Sequence, residues 1–371
     1  MSQHPDCLVI GGGLIGMLTA RELFLAGRSV QLLERSETGR ESSWAGGGIL
    51  SPLYPWRYPE SVSALARASQ AIYPGLFKEI EAETGISVEH TQSGLLMPDC
   101  DEVDAAMAWA KQFSVNIEIT EGGKVVDIAG EISRELCVNK AVWLPDVGQV
   151  RNPRLVRALR ASIEHLGVGV TTSCQVDKIE VSGGRVTGVI TTDGSTISAG
   201  TVVVASGAWS SGLMAPLGLE ISVKPVLGQM LLYKTEPGTV RRIILNKDRY
   251  VIPRQDGRVL IGSTIENTGF DKRTTQSARA ELEAEAVRLV PALSRYPVEK
   301  HWCGLRPGTP DDVPYIGEFD DIDGLYINAG HYRNGVVLGA ASARLLSQII
   351  LEQETLLPIT AYSPRQLLQT A

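Results

Sequence analysis

No stretch of this chain is apolar for long enough to cross a bilayer, which takes about 20 consecutive apolar residues in a helix, so no transmembrane segment is expected. Cysteine is sparse. Cys7, Cys100, Cys137, Cys174 and Cys303 are odd in number, far apart and without a CxxC pair, which argues against a disulfide framework or a metal site and for reduced thiols in a cytoplasmic setting. No basic run or basic–aromatic cluster occurs and the formal charge is −7, so nucleic acid is excluded as the main partner. The opening "MSQHPD" lacks the charged and apolar regions of a leader and runs straight into a short strand. Also missing is any Ser-His-Asp, Cys-His or paired-carboxylate constellation that would announce acid–base or nucleophilic catalysis. What is present is enough apolar material, 43% of 371 residues, for two domains or one elaborated domain.

The first informative pattern is at the amino end. A strand "CLVI" leads into "GGGLIG", a helix "MLTARELFLAG" closes on Gly27, and a second strand "SVQLLE" follows. Gly11, Gly13 and Gly16 form GxGxxG in the strand–turn–helix context that gives this spacing its meaning: a tight turn, backbone approach to a pyrophosphate, and close packing of helix on strand. The helix start offers free N–H groups and a positive dipole end to phosphate. Glu34 closes the second strand, where a carboxylate can accept from ribose hydroxyls and would repel the extra phosphate of NADP. FAD and NAD both remain open from this motif.

Three later features favour FAD. "ERSETGRESSWAGGGILSP" places Ser42, Ser43, Gly46, Gly47 and Gly48 soon after the ribose-binding strand, a small-residue run suited to backbone passing a flat ring. "TVVVASGAWS" is an apolar strand ending in small residues, like the segment that packs beside the cofactor in flavoproteins. The third is "NAGHYRNGVVLGAASARLL", a second glycine-rich helix start with an arginine in it, late in the chain.

Elsewhere the periodicity predicts helices over 65–83 and 101–113, with Met107 and Trp109 read as core, and over 152–166 with Asn152 as N-cap and Pro153 at the first position. "SGG" and "DG" mark hairpins in the segment 168–207. Alternating strands follow from 223 to 265, then a charged amphipathic helix and the closing strand and helix. The expected fold class is α/β: a Rossmann-type FAD-binding domain (1–80, 150–220 and 301–371) with an interleaved, sheet-rich antiparallel substrate-binding domain (81–149 and 221–300).

On "CLVIGGGLIG", "ERSETGRESSWAGGGILSP", "DRYVIPRQDGRVLIGST", "GLRPGTPDDVPYIG" and "NAGHYRNGVVLGA", which together cover most of the chain, the sequence resembles the D-amino-acid oxidase family of flavoproteins, and within it the glycine oxidases of thiamine synthesis. The resemblance implies FAD held by Leu14 and Ile15 at the glycine turn, Glu34 and Arg35 at the ribose, Ser42 and Ser43, and Gly47, Gly48 and Ile49. Val176 matches a position whose backbone meets the adenine, and His331, Tyr332, Arg333, Asn334, Gly335, Val336 and Val337 would lie along the flavin. Substrate would meet Tyr250, Arg306 and Arg333, which are therefore the expected catalytic and binding residues. A buried guanidinium holds a carboxylate by two parallel bonds; the competing role for Arg306 is an ion pair with Asp311 or Asp312, and for Tyr250 ordinary strand packing.

The same resemblance implies a small amino acid and dioxygen as reactants, with glycine, sarcosine and small D-amino acids all admitted. An imine, a 2-oxo acid, ammonia and hydrogen peroxide would be formed. Thiazole synthase is an implied partner and a homotetramer the implied assembly. Alternatives are an amine dehydrogenase passing electrons to a quinone or carrier, and a non-catalytic flavin-binding subunit. Sarcosine oxidases attach FAD to a cysteine near "GLRPG"; Cys303 falls one residue out of register with it, so the FAD is expected to be non-covalent. Residues 51–60, "SPLYPWRYPE", are read as part of an active-site cover.

Overall fold

The computed structural model describes residues 4–364, so the first three and last seven residues of the expected cofactor domain lie outside the described residues. A six-stranded sheet runs in the order Tyr315–Glu318, Leu325–Ala329, Thr201–Val204, Cys7–Ile10, Val30–Leu33 and Gly169–Thr171. Every neighbouring pair is parallel except the edge pair of Tyr315–Glu318 with Leu325–Ala329. Parallel neighbours need a crossover, and the helix Leu14–Leu25 supplies the first one between Cys7–Ile10 and Val30–Leu33.

Both faces of this sheet are covered, which is why "CLVI" and "TVVV" are apolar without alternation. Val9, Leu32 and Val203 point to the helices Leu14–Leu25, Glu60–Thr84, Asn152–Leu166 and Gly335–Ile350. Leu8, Val202 and Val204 point the other way, onto Val176, Ile179, Val186 and Val189 of an antiparallel sheet made of Val176–Ser182, Arg185–Thr191 and Thr196–Ser198. Its hairpins turn at the expected places, with Gly183, Gly184 and Gly194 at φ 60°, 76° and 84°.

The second large sheet has eight strands, in the order Val298–Gly308, Lys224–Lys234, Arg258–Gly262, Arg249–Pro253, Ile243–Asn246, Leu95–Met97, Lys140–Leu144 and Glu118–Glu121. Only the contact of Ile243–Asn246 with Leu95–Met97 is parallel. Alternation sorts its side chains: Leu231, Tyr233, Val251, Val259 and Ile261 pack beneath the helix Gln276–Leu289, while Met230, Tyr250, Ile252 and Leu260 pack on the face that carries Ile49 and Tyr54. That face looks toward the first sheet.

Two local expectations are corrected. Asn152 is the first helical residue and not the cap; its side chain, fully buried, donates to the Ser43 carbonyl at 2.8 Å. Met107 is 45% exposed and no part of the core, whereas Trp109 is partly buried and donates to Ser63 at 3.0 Å. No helix among the described residues is long and apolar enough to cross a membrane.

Candidate active site

A cavity of roughly 410 Å³ runs between the two large sheets. Its first end is built by the glycine turn. Gly11 has φ +112°, and a Cβ there would stand 2.4 Å from the Ala205 carbonyl oxygen; a Cβ at Gly16 would meet the Gly11 carbonyl oxygen at 1.9 Å. The first clash forces glycine where strand ends meet, the second where helix presses on turn. Glu34 is fixed beside them: its carboxylate accepts from the Gly12 N–H at 2.8 Å and from the Ser36 N–H at 2.9 Å. Ser43, 29 residues downstream, accepts from the Leu14 N–H at 2.8 Å and so satisfies one free donor of the helix start.

Of the expected cofactor residues, Gly11, Gly13, Leu14, Ile15, Glu34, Arg35, Ser42, Ser43, Gly47, Gly48, Ile49, Val176, His331, Tyr332, Arg333, Gly335 and Val336 line this cavity. Gly16, Asn334 and Val337 stand behind its wall: Gly16 packs the helix, Asn334 is 2% exposed and Val337 lies in the helical core. Trp209 is an addition. It lies under Arg35, whose guanidinium carbon is 3.7 Å from the ring centroid and which also pairs with Glu41 at 2.7 Å. The small-residue end of "TVVVASGAWS" pointed to that wall, but nothing local joins Trp209 to Arg35.

The other end of the cavity carries Tyr250, Arg306 and Arg333, brought by three separate elements: the strand Arg249–Pro253, the strand Val298–Gly308 and the turn Tyr332–Asn334. Arg306 donates to the Leu227 and Thr264 carbonyls at 3.4 and 3.2 Å and to the Ser263 hydroxyl at 2.6 Å. Among the described residues no carboxylate pairs with it, so neither Asp311 nor Asp312 neutralises it. Burial pushes its guanidinium below the ordinary arginine range; Tyr250 and Tyr332 oppose that shift and Arg333 adds to it. Tyr250 is buried, with its ring against Gly262, where a Cβ would approach to 2.7 Å. Its hydroxyl stands 3.8 Å from the Met230 sulfur. Ser263, Gly228 and Met230 seat these two side chains, Ser263 and Met230 by accepting from them and Gly228 by leaving space, and no local pattern in the chain marks them.

His331 closes the wall from the late glycine segment. Its Nε2 is 2.7 Å from the Ser342 hydroxyl, which donates to Asn328 at 2.6 Å; the Asn328 amide donates to Thr19 at 3.1 Å. Since the Ser342 proton goes to Asn328, the hydroxyl accepts from the ring, which sets the tautomer. Burial pushes the His331 ring down to about 3, so it is neutral at physiological pH.

Residues 6–349 match the profile of the family described as DAO, FAD dependent oxidoreductase. The chain belongs to this family. It is 46% identical over 361 residues to the glycine oxidase of Pseudomonas aeruginosa, covering 96% of this chain and 98% of that one. It is 33% identical over 380 residues to the bifunctional protein ThiO/ThiG of Synechocystis sp., covering 100% of this chain and 55% of that one. In three dimensions it is similar to the crystal structure of glycine oxidase from Geobacillus kaustophilus, with a TM-score of 0.92 and 28% identity over 97% of this chain and 98% of that one.

FAD is the cofactor of the family, and the residues present fit it. The cavity has a dinucleotide turn and Glu34 at one end. At the other, Gly47 and Gly48 face the cavity with backbone alone, held to glycine by the packing behind them: a Cβ at Gly47 would meet Ile252 at 2.6 Å and one at Gly48 the Val150 carbonyl at 2.1 Å. The turn, Glu34, Ser42 and Ser43 would hold the nucleotide, and Gly47–Ile49 with Gly330–Arg333 the flavin.

Proposed function

We propose that the protein oxidises glycine and other small primary or secondary amines of the amino acid class, sarcosine and small D-amino acids included, to the imine, which water then converts to a 2-oxo acid and ammonia or methylamine. The observation that carries this reading is Arg306: a guanidinium partly buried in the wall of the FAD cavity beside Tyr250 and Arg333, without a carboxylate partner among the described residues. Such a group calls for an anion, and a substrate carboxylate supplies one. When bound, FAD supplies the hydride acceptor and passes the two electrons to dioxygen as hydrogen peroxide.

The chain's own part is positioning. Arg306 and Arg333 take the carboxylate, the Tyr250 hydroxyl adds a donor, and the α-carbon is thereby aimed at the ring without a general base. Residues 51–60 contribute Ser51 and Leu53 to the cavity wall and cover the site, excluding water from the imine. In this reading residues 1–80, 150–220 and 301–371 serve the flavin and 81–149 and 221–300 the substrate, with Val298–Gly308 as the strand that joins them.

The ThiO/ThiG relative supports a place in thiamine synthesis, with the glycine imine handed to a thiazole synthase. A cytoplasmic homotetramer with non-covalent FAD completes the proposal. Anaerobic titration with glycine, sarcosine and D-alanine, read at the flavin absorbance, tests it: bleaching followed by stoichiometric peroxide on admitting oxygen is expected. Bleaching without peroxide would assign a carrier-linked dehydrogenase, and no bleaching by any of the three would assign a non-catalytic flavoprotein.

A further inference from the structure

Beside the main cavity lies a second one, of about 160 Å³, walled by Tyr54, Arg57, Lys247, Asp248 and Asp312. Leu53 and Arg333 belong to both, so these two side chains are the partition. The charges are balanced by sign. Arg57 is committed elsewhere, to Glu102 at 2.7 Å and to the face of Tyr54 at 4.0 Å. Lys247 and Arg333 then face Asp248 and Asp312, two of each sign around a space large enough for a molecule the size of glycine.

The partition is held loosely. Arg333 meets Asp248 at 3.5 Å, longer than the roughly 2.7–2.9 Å of a charge-assisted hydrogen bond. Asp248 has a 61% exposed side chain, and that of Arg333 is 13% exposed, so the pair couples the outside to the inner site. Asp312 is half-buried, and burial raises its carboxyl pKa while Arg333 holds it down. Tyr54, Lys247 and Asp312 keep left-handed φ of 53°, 52° and 63°, angles that non-glycine residues hold where surroundings impose them.

We propose that this chamber is an access subsite for the zwitterionic amino acid: Asp248 and Asp312 receive the ammonium end and turn away simple carboxylates, while Arg333 passes the substrate carboxylate inward to Arg306. The inference rests on the amine-oxidase reading and adds to it a charge filter outside the reacting position. A monoanion can pair with Lys247 and Arg333 but leaves Asp248 and Asp312 unanswered, whereas a zwitterion satisfies both signs.

The test uses the FAD-loaded protein with Asp248→Asn and Asp312→Asn, glycine as substrate and acetate as the carboxylate without an amine. In anaerobic stopped-flow, the slope of flavin reduction rate against low glycine concentration is expected to fall about three- to tenfold in each variant, with the loss in that slope and not in the limiting rate. The dissociation constant of acetate, read from the shift in flavin absorbance, is expected to tighten by a similar factor. Asp312→Glu should restore both. Unchanged slopes and unchanged acetate binding in both variants, or a loss confined to the limiting rate, would overturn the proposal. Because Asp248 is exposed, its variant tests the idea even where Asp312→Asn fails to fold. Failure of the wild type to be bleached by any small amine would instead sink the functional reading, and the acetate arm would still decide whether the chamber filters charge.

Discussion

The guanidinium of Arg306 lies directly against Gly228: a Cβ at that glycine would stand 2.1 Å from its Nη2 and 2.2 Å from its Nη1. The two residues lie diagonally on one face of adjacent strands, where Gly304 is the register partner of Gly228 and Val226 that of Arg306. Gly228 therefore makes the space in which the carboxylate anchor sits. A Gly228→Ala substitution should drive the guanidinium off the Ser263 hydroxyl and weaken apparent glycine affinity about 10- to 100-fold, the worth of one or two hydrogen bonds to a charged group. FAD content should stay unchanged. Anaerobic titration of the variant checks this, and undiminished affinity would remove Arg306 from the substrate site.

Arg333 stands where both cavities meet, and its ion-pair partner Asp248 is on the outer side. An Arg333→Ala variant should retain FAD and lose at least about tenfold in the second-order rate of reduction by glycine. Rates equal to wild type would return the residue to a purely structural pairing with Asp248.

Cys303 points away from the reacting end. Gly304 and Arg306 beside it line the cavity, while its thiol donates to the Lys272 carbonyl at 2.9 Å and packs against the cluster of Ala208, Leu227 and Leu305. Acid precipitation should therefore release the yellow flavin to the supernatant. Cys303→Ser should retain FAD and amine oxidation. Flavin that stays with the wild-type pellet would contradict this assignment.

The His331 ring has its pKa pushed down to about 3 by burial, from an ordinary 6.5. Below about pH 6.5 the unfolded chain takes up this proton and the native chain does not until about pH 3, so stability falls as pH falls through that window. The loss from this one group is at most about 1.4 kcal/mol per pH unit. His331→Gln, which keeps a donor for Ser342, should show a shallower decline of the urea midpoint between about pH 6 and pH 4. Parallel declines in the two proteins would mean that the ring titrates equally in both states.

Features settled by a few consecutive residues are legible in the chain itself. The glycine turn is one: Gly11 takes a left-handed φ of +112° and a Cβ at Gly16 would press on the Gly11 carbonyl, five residues back, so their spacing can be read directly. The hairpins at Gly183 and Gly194 are another, since left-handed backbone favours glycine wherever it occurs. A local pattern misleads where it has two outcomes. Asn152 before a proline reads as a cap, but the helix begins one residue earlier because its amide is drawn to the Ser43 carbonyl, 109 residues away. Met107 fits an apolar stripe on a helix of which only Ala106 and Ala110 are buried.

The substrate end belongs to the other class. Motif likeness singled out Tyr250, Arg306 and Arg333, yet no local pattern says that they meet or what seats them. Tyr250 is carried by pairing with Gly262, Arg306 by pairing with Val226, and Arg333 by a turn at the end of the other sheet. Their meeting depends on register, because side chains alternate along a strand: slipping Val298–Gly308 by one residue would present Cys303 and Leu305 to the cavity in place of Gly304 and Arg306. Dinucleotide binding was thus written into consecutive residues through backbone sterics. The carboxylate anchor was decided only when two sheets, paired in one register, closed around the space that Gly228 leaves empty.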